Sequence, residues 1–299
     1  MNALRTALLG LCMAAGTAAQ DKPEAAHFHH VRLNVTDPAK TIAFYTKMCG
    51  AVEVKYYDMT RALFTERSFI LLNKVDVAPE HLPKSAINHI GWAATDGQST
   101  YEWLKAHGAM FETPIGQLGN NYGMYIYGPD KELAEFWTGS QNHRFEHIHL
   151  WASDVEKSAA WYQTNLGIQG RVMPQPTLKD HENIGAIRMA FFQCDNVNLV
   201  FFGRPDFDSR WWPGGSFKPE DGPKGDFEPT KGRAIDHIAF SYRDIAPVFE
   251  RMKAAGVEIV EPIAKREDVG HTSFFVLAPD KVLVEIVQAR PIPEALWQE

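Results

Sequence analysis

The sequence predicts an α+β fold assembled from four copies of one small unit, and three observations carry that expectation. First, a histidine opens a short apolar run and an aspartate follows seven positions later, four times over: His30–Asp37, His89–Asp96, His147–Asp154 and His237–Asp244. Second, each run leads into a helix-like segment that stops at a glycine, Gly50, Gly108, Gly167 or Gly256, twenty, nineteen, twenty and nineteen residues after its histidine. Third, copies one and three share an aromatic pair, Phe44-Tyr45 and Trp161-Tyr162. The chain is therefore an A-B-A-B array in which a two-copy module is used twice, and a repeat of this length outranks any single motif as a guide to architecture.

Each copy reads as a strand, a helix and further strands. The opening runs alternate in the way half-buried strands do, as in Val31, Leu33 and Val35 or Ile238 and Phe240. Asp37, Asp154 and Asp244 stand where a short carboxylate can accept from the free N–H groups that begin a helix. The helices carry one apolar stripe, such as Ile42, Phe44, Tyr45 and Met48, and end at a residue able to adopt positive φ. After each helix come β-rich runs, among them Ser68–Leu72, Gly123–Tyr127, Met189–Phe192, Asn198–Phe202, Thr272–Val276 and Val282–Val287. Copies two and four add a Pro-Asp-Lys turn, at Asp130 and Asp280, between their last two strands. The boundary between the halves falls near Ser140–Arg144, giving expected domains at 27–140 and 144–290. A Pro-, Gly- and Trp-rich insertion at 203–233 lengthens the gap before copy four, and its Trp211-Trp212 pair suits a lid or a packing contact.

Bulk properties narrow the function. At 299 residues the length suits two domains, and 45% hydrophobic with 22% charged residues is ordinary for a globular chain. A net charge of −7 with no basic run argues against a nucleic-acid partner. Residues 1–19 have the form of a signal peptide, with Arg5 ahead of a short apolar stretch and small residues up to Ala19. A secreted or periplasmic location is expected, with no membrane association after cleavage, because the stretch is too short to span a bilayer. Cleavage would leave Cys49 and Cys194, too few for a disulfide framework.

The chemistry is concentrated at two glutamates that interrupt apolar strands, Glu135 in Leu-Ala-Glu-Phe-Trp and Glu285 in Leu-Val-Glu-Ile-Val. A carboxylate so placed needs a strong compensating partner, and a divalent metal would supply one. One strand-opening histidine is more often a satisfied structural residue, but four at equivalent positions beside two equivalent glutamates reverse that balance. If consecutive copies bring their first strands together, one triad would be His30, His89 and Glu135, and the other His147, His237 and Glu285. Two imidazoles and a carboxylate leave positions open on a metal for water, oxygen or substrate. His149 and His271 lie outside the repeat register and could join the site. Trp92, Tyr125, Trp151, Phe240 and Phe275 suit either a planar substrate or core packing.

These patterns, the repeated His…Asp…Phe-Tyr…Gly and Pro-Asp-x-x-x-x-Glu over roughly residues 27–290, resemble the vicinal oxygen chelate superfamily. That group includes glyoxalase I, fosfomycin-resistance proteins, bleomycin-binding proteins and extradiol dioxygenases. The resemblance implies paired βαβββ units forming cupped sheets around a divalent metal, with ligands from the first strands and a last strand. It also implies a small oxygen-bearing substrate, aromatic in the ring-cleaving branch, in a monomer or homodimer. Glyoxalase I relatives usually add a second glutamate, and the equivalent strands here, Phe69–Leu72 and Asn198–Phe201, carry no acid. A His/His/Glu set is similar to the dioxygenases, for which iron(II) is the usual metal, with zinc, nickel or manganese as alternatives. The tyrosine that orients substrate in extradiol enzymes is matched by Tyr125 in the first half and by Phe275 in the second, and the expected upstream acid/base histidine is missing. Tyr125 and His271 are the candidate catalytic side chains. The competing expectations are a glyoxalase-like isomerase or lyase, and a bleomycin-resistance-like protein that binds without chemistry and would lack the triads.

Overall fold

The computed structural model describes residues 24–57, 60–79, 85–118, 120–174, 188–203 and 226–292. The expected signal peptide and Trp211-Trp212 lie outside these residues. In chain order the first half runs β1 (His27–Val35), α1 (Pro38–Cys49), β2 (Val52–Tyr56), β3 (Thr60–Thr65), β4 (Ser68–Lys74), β5 (Ile87–Ala94), α2 (Gly97–Ala106), β6 (Met110–Leu118), β7 (Asn121–Tyr127) and β8 (Leu133–Thr138). The second half repeats the plan with β9 (Arg144–Ala152), α3 (Val155–Leu166), β10 (Gln169–Val172), β11 (Met189–Cys194), β12 (Val197–Gly203), β13 (Ile235–Tyr242), α4 (Ala246–Ala254), β14 (Glu258–Lys265), β15 (Thr272–Ala278) and β16 (Val282–Gln288). The α+β class and the four βαβββ units are as the repeat predicts.

Helix ends follow the expected chemistry with one shift. Asp37 accepts from the Ala39 and Lys40 amides, and Asp154 from the Lys157 amide. Asp244 accepts from the Ala246 amide, but α4 begins one residue later than its siblings, so its N-cap is Ile245 with no side-chain bond. At the other end Gly50 and Gly167 close α1 and α3 at φ of 71° and 70°, a left-handed conformation that a β-carbon disfavours.

The pairing of the units differs from the expectation. One eight-stranded sheet runs β14-β15-β16-β13-β1-β4-β3-β2, and the other β10-β11-β12-β9-β5-β8-β7-β6. The first copy therefore joins the fourth through antiparallel β1 and β13, and the second joins the third through β5 and β9. Neither sheet is built from 27–140 or 144–290 alone. The short link at 139–143 explains the second pairing: β8 runs parallel to β5 and β9 antiparallel to it on the other side, so the chain need only hop over one strand end.

Alternation within the strands sorts the side chains. Val31, Leu33, Val35, Ile238 and Phe240 belong to one apolar core that also holds Ile90, Trp92, Ile148 and Leu150 of the other sheet. Turn aspartates tie the sheets together as well. Asp130, between β7 and β8, accepts from the Thr36 amide (3.1 Å) and hydroxyl (2.5 Å) just after β1. Asp280, between β15 and β16, accepts from the Ser153 amide (3.1 Å) and hydroxyl after β9. Among the described residues no helix is long and apolar enough to cross a membrane.

Candidate metal centres

Four β-bulges make the site. In the β1/β13 ladder Phe28 faces Phe240 and His30 faces Ala239, which leaves His29 as an extra residue; lower down, Arg32 faces His237 and Leu33 faces Ile235, which leaves Asp236 extra. The β5/β9 ladder repeats this with Asn88 and Glu146. A bulge lets two successive side chains turn to the same face and is a common way to re-aim a residue beside a site. Each bulged residue immediately precedes a repeat histidine, and in each case the pair is bracketed by apolar core residues: Phe28 and Val31, Ile87 and Ile90, Phe145 and Ile148, Ile235 and Ile238.

The bulged side chains grip the imidazoles. Asn88 Oδ1 lies 2.6 Å from Nδ1 of His89, Glu146 Oε2 is 3.1 Å from Nδ1 of His147, and Asp236 Oδ1 is 2.6 Å from Nδ1 of His237. Those oxygens accept the Nδ1 proton, which fixes the tautomer and leaves Nε2 as a lone-pair donor facing the cup. At His30 the same role falls to His29, with the two Nδ1 atoms 2.8 Å apart. Asp236 is itself held by the Gly232 amide (2.6 Å) and by Asn34 (3.0 Å).

The Nε2 atoms converge on the two glutamates in two buried groups: His30, His237 and Glu285 in one sheet, and His89, His147 and Glu135 in the other. This corrects the triads expected from consecutive copies, because strand pairing exchanges His89 for His237 at Glu285's partner His30, and brings His147 to Glu135. In the first centre His30 and His237 Nε2 are 3.4 Å apart, and lie 3.1 and 3.2 Å from Glu285 Oε2. In the second the two Nε2 atoms of His89 and His147 are 3.2 Å apart, and lie 3.0 and 2.8 Å from Glu135 Oε2.

These spacings fit a metal. Ligands at about 2.1 Å from one ion stand ~3.0 Å apart at right angles and ~3.4 Å apart in a tetrahedron. The donors are two neutral imidazoles and one carboxylate on one side of the gap, the arrangement of facial triads with open positions. Without a cation, three acceptor atoms would face one another in a buried space, so protons must take its place. Burial works against charge on His147, yet its bonds to Glu135 and Glu146 lift its pKa to about 9, and His237 is raised in the same way by Asp236 and Glu285. Burial dominates at His30, which falls to about 3, and at His89, which is also lowered. Burial opposes ionisation of Glu135 and Glu285, but the facing histidines outweigh it and hold both carboxyls well below the usual range.

The centres differ in their surroundings. Glu285 Oε1 is 2.7 Å from Nε2 of His271 and accepts from Ser273 Oγ at 2.5 Å. His271 Nδ1 in turn meets the Tyr56 hydroxyl at 2.8 Å, and that hydroxyl lies 3.5 Å from His29 Nε2. His271 thus sits behind the Glu285 carboxylate, a place that sequence position alone did not give it. Tyr125 faces Glu135 across β7 and β8, with its ring 5.1 Å from that of His89; burial and the Glu135 charge push its hydroxyl pKa well up. Phe275 takes the equivalent place opposite Glu285. His149 stands opposite His89, rings 4.6 Å apart, and is kept neutral by burial. The place matching each glutamate on the far side of the two central strands, opposite the residue two past the histidine, is filled by Leu71 and Val200. Of the other aromatics, Trp92 stacks on Tyr45 at 5.5 Å in the core and Phe240 is fully buried there, whereas Trp151 packs beside His149 at 5.0 Å.

Comparison with known proteins agrees with this geometry. The profile of the Glyoxalase/Bleomycin resistance protein/Dioxygenase superfamily matches residues 27–136 and 144–286, and the chain belongs to that family. Glyoxalase I from Zea mays superposes with a TM-score of 0.65 at 16% identity, over 88% of this chain and 92% of that one. A Bacillus subtilis protein provisionally designated a dioxygenase gives 0.61 at 12% identity, over 91% and 88%. At these identities the likeness is one of fold. No curated protein matches the sequence.

Proposed function

We propose that the protein is an exported, metal-dependent enzyme of the dioxygenase-like branch, which binds a small substrate through neighbouring oxygens at a His/His/Glu centre. The observation that carries this reading is the convergence of two Nε2 atoms and one carboxylate oxygen within 3.4 Å in each buried group. Their outer nitrogens are already committed to bulged neighbours, an arrangement with little purpose unless a cation is held. His30, His237 and Glu285 would hold one ion, and His89, His147 and Glu135 another. When bound, iron(II) supplies Lewis acidity and a site where oxygen and two substrate oxygens can meet.

The chain's own residues favour oxygen chemistry over isomerisation. In an isomerase the ligand glutamate would have to leave the metal and serve as base. Glu285 Oε1 is tied to both His271 and Ser273, which holds the carboxylate in its ligand orientation. Leu71 and Val200 occupy the places where a second glutamate would provide an alternative base. His271, backed by Tyr56, positions Glu285, and Tyr125 lies beside Glu135 where it can meet a bound oxygen.

The test uses mature protein purified without chelator. Elemental analysis is expected to find about one metal per centre, and iron(II) reconstitution to give oxygen uptake with catechol-type substrates. Turnover of a hemithioacetal with zinc or nickel and no oxygen uptake would overturn the dioxygenase assignment. Absence of metal after reconstitution would overturn the enzyme reading altogether.

A further inference from the structure

The two centres are alike in their ligands but not in the residue two positions past the histidine of copies one and three. That residue is Arg32 in β1 and His149 in β9, and the register sets each directly across from the histidine on the other strand of its centre, Arg32 from His237 and His149 from His89. Arg32 is 9% exposed, and it lines a cavity of about 230 Å³ that reaches His237, Glu285 and Phe275. Among the described residues its guanidinium makes one hydrogen bond, from Nη2 to Asp268 at 2.7 Å. A guanidinium is a planar fork of several N–H donors, so most of its capacity is left for whatever fills the cavity.

The neighbouring cations are not comparably free. Lys231 is paired with Glu261 at 3.1 Å, and Arg266 bonds Glu261 (2.7 Å) and Ser273 while its guanidinium stacks 4.8 Å over Phe275. Asp268, unlike Arg32, is exposed, its side chain 63% accessible on the turn between β14 and β15. An exposed carboxylate on a turn is held to a buried arginine by an ion pair that water and a competing anion can both weaken.

We infer that the His30/His237/Glu285 centre takes a substrate that carries a carboxylate as well as its metal-binding oxygens, and that Arg32 receives this carboxylate in place of Asp268. The exchange is like for like, a planar anion on a planar fork. Arg32 is directly opposite His237 and shares one small cavity with it and Glu285, so carboxylate and chelating oxygens must sit on one compact molecule. A single-ring hydroxylated aromatic acid suits the small cavity. The other centre has an imidazole, His149, at the matching place and no guanidinium fork there, so it does not share this preference.

This inference rests on the metal-centre reading, and its test separates the two. A His89→Ala/His147→Ala background leaves the Arg32 centre alone, loaded with zinc as a redox-inert ion. Calorimetry then compares 3,4-dihydroxybenzoate with its neutral isostere 3,4-dihydroxybenzamide, which has the same chelating oxygens. The acid should bind about tenfold more tightly, the scale of a charged hydrogen bond. Arg32→Met should remove that preference and leave the amide unchanged. Asp268→Asn, an exposed change that does not threaten folding, should strengthen acid binding alone. Equal affinities for acid and amide with zinc in place, or indifference to Asp268→Asn, overturn the Arg32 assignment. Failure of the centre to retain zinc on elemental analysis overturns the metal reading on which it stands.

Discussion

At Gly91 a β-carbon would fall 2.1 Å from Cε1 of His147, so the imidazole can lie across β5 only because that residue has no side chain. His147 is held in place from both sides, by Glu146 at Nδ1 and Glu135 at Nε2, and cannot simply swing aside. Gly91→Ala is therefore expected to cost the His89/His147/Glu135 centre its metal, while the Arg32 centre keeps its own. Elemental analysis reads this as the loss of one equivalent, and an unchanged content would mean that His147 does not bind where its ring now points. The six side chains that converge in the two groups were legible in the sequence, since all stand at repeat positions. Their supports were not, although the signal was present. Each repeat histidine follows a polar residue, His29, Asn88, Glu146 or Asp236, and that pair interrupts the apolar alternation by two residues instead of one. Such a break marks a bulge, and a reading that expects strict alternation treats it as noise.

The choice of partner strands separates the observed fold from the expected one. The repeat marks four strand-helix-strand units correctly, because a helix cap, a stripe and a closing glycine are local features. It did not reveal which unit meets which, since equivalent units present equivalent edges, and the rule that consecutive elements sit side by side favoured the wrong pairing. The hint lay in connection lengths. Residues 139–143 can only bridge near neighbours, which favours the second and third copies in one sheet and leaves the first and fourth for the other. A doubly substituted protein distinguishes the arrangements. His30→Ala/His237→Ala removes two ligands from one centre and should lower metal content by one equivalent, with His89→Ala/His147→Ala doing the same at the other. Had consecutive copies paired, each double variant would strike both centres and strip both metals. The first pattern supports the strand order β13-β1 and β9-β5, and the second would refute it.

Across the whole molecule one apolar core joins both sheets, and Asp130 and Asp280 fasten each sheet to the other's first strands, so the charge state of the centres bears on the stability of the entire chain. Without metal, His147 carries a proton up to about pH 9, and His237 is raised above its ordinary 6.5 as well. A group raised on folding adds stability that is complete below the unfolded pKa of about 6.5 and is lost as pH climbs through the folded value. Glu135 and Glu285 act in the opposite sense, since their depressed carboxyls add stability above about 4.5 that is lost as pH falls through the folded values. His30 and His89, kept neutral by burial, cost stability as pH falls below about 6.5, so the metal-free protein should be most stable near pH 6.5 as far as the two centres decide. A metal must displace the protons on His147 and His237, so its affinity, and the stabilisation that follows from it, grow as pH rises through 6.5 toward 9. Thermal denaturation of metal-loaded and chelator-treated protein should show a gap in Tm that widens steadily from pH 6 to pH 9. Titrations in buffers of different ionisation enthalpy should report protons released on metal binding across the same range. A gap of constant size, with no proton release, would mean that the histidines are already neutral in the empty centres and that the carboxylates from Glu146 and Asp236 do not hold the charge there.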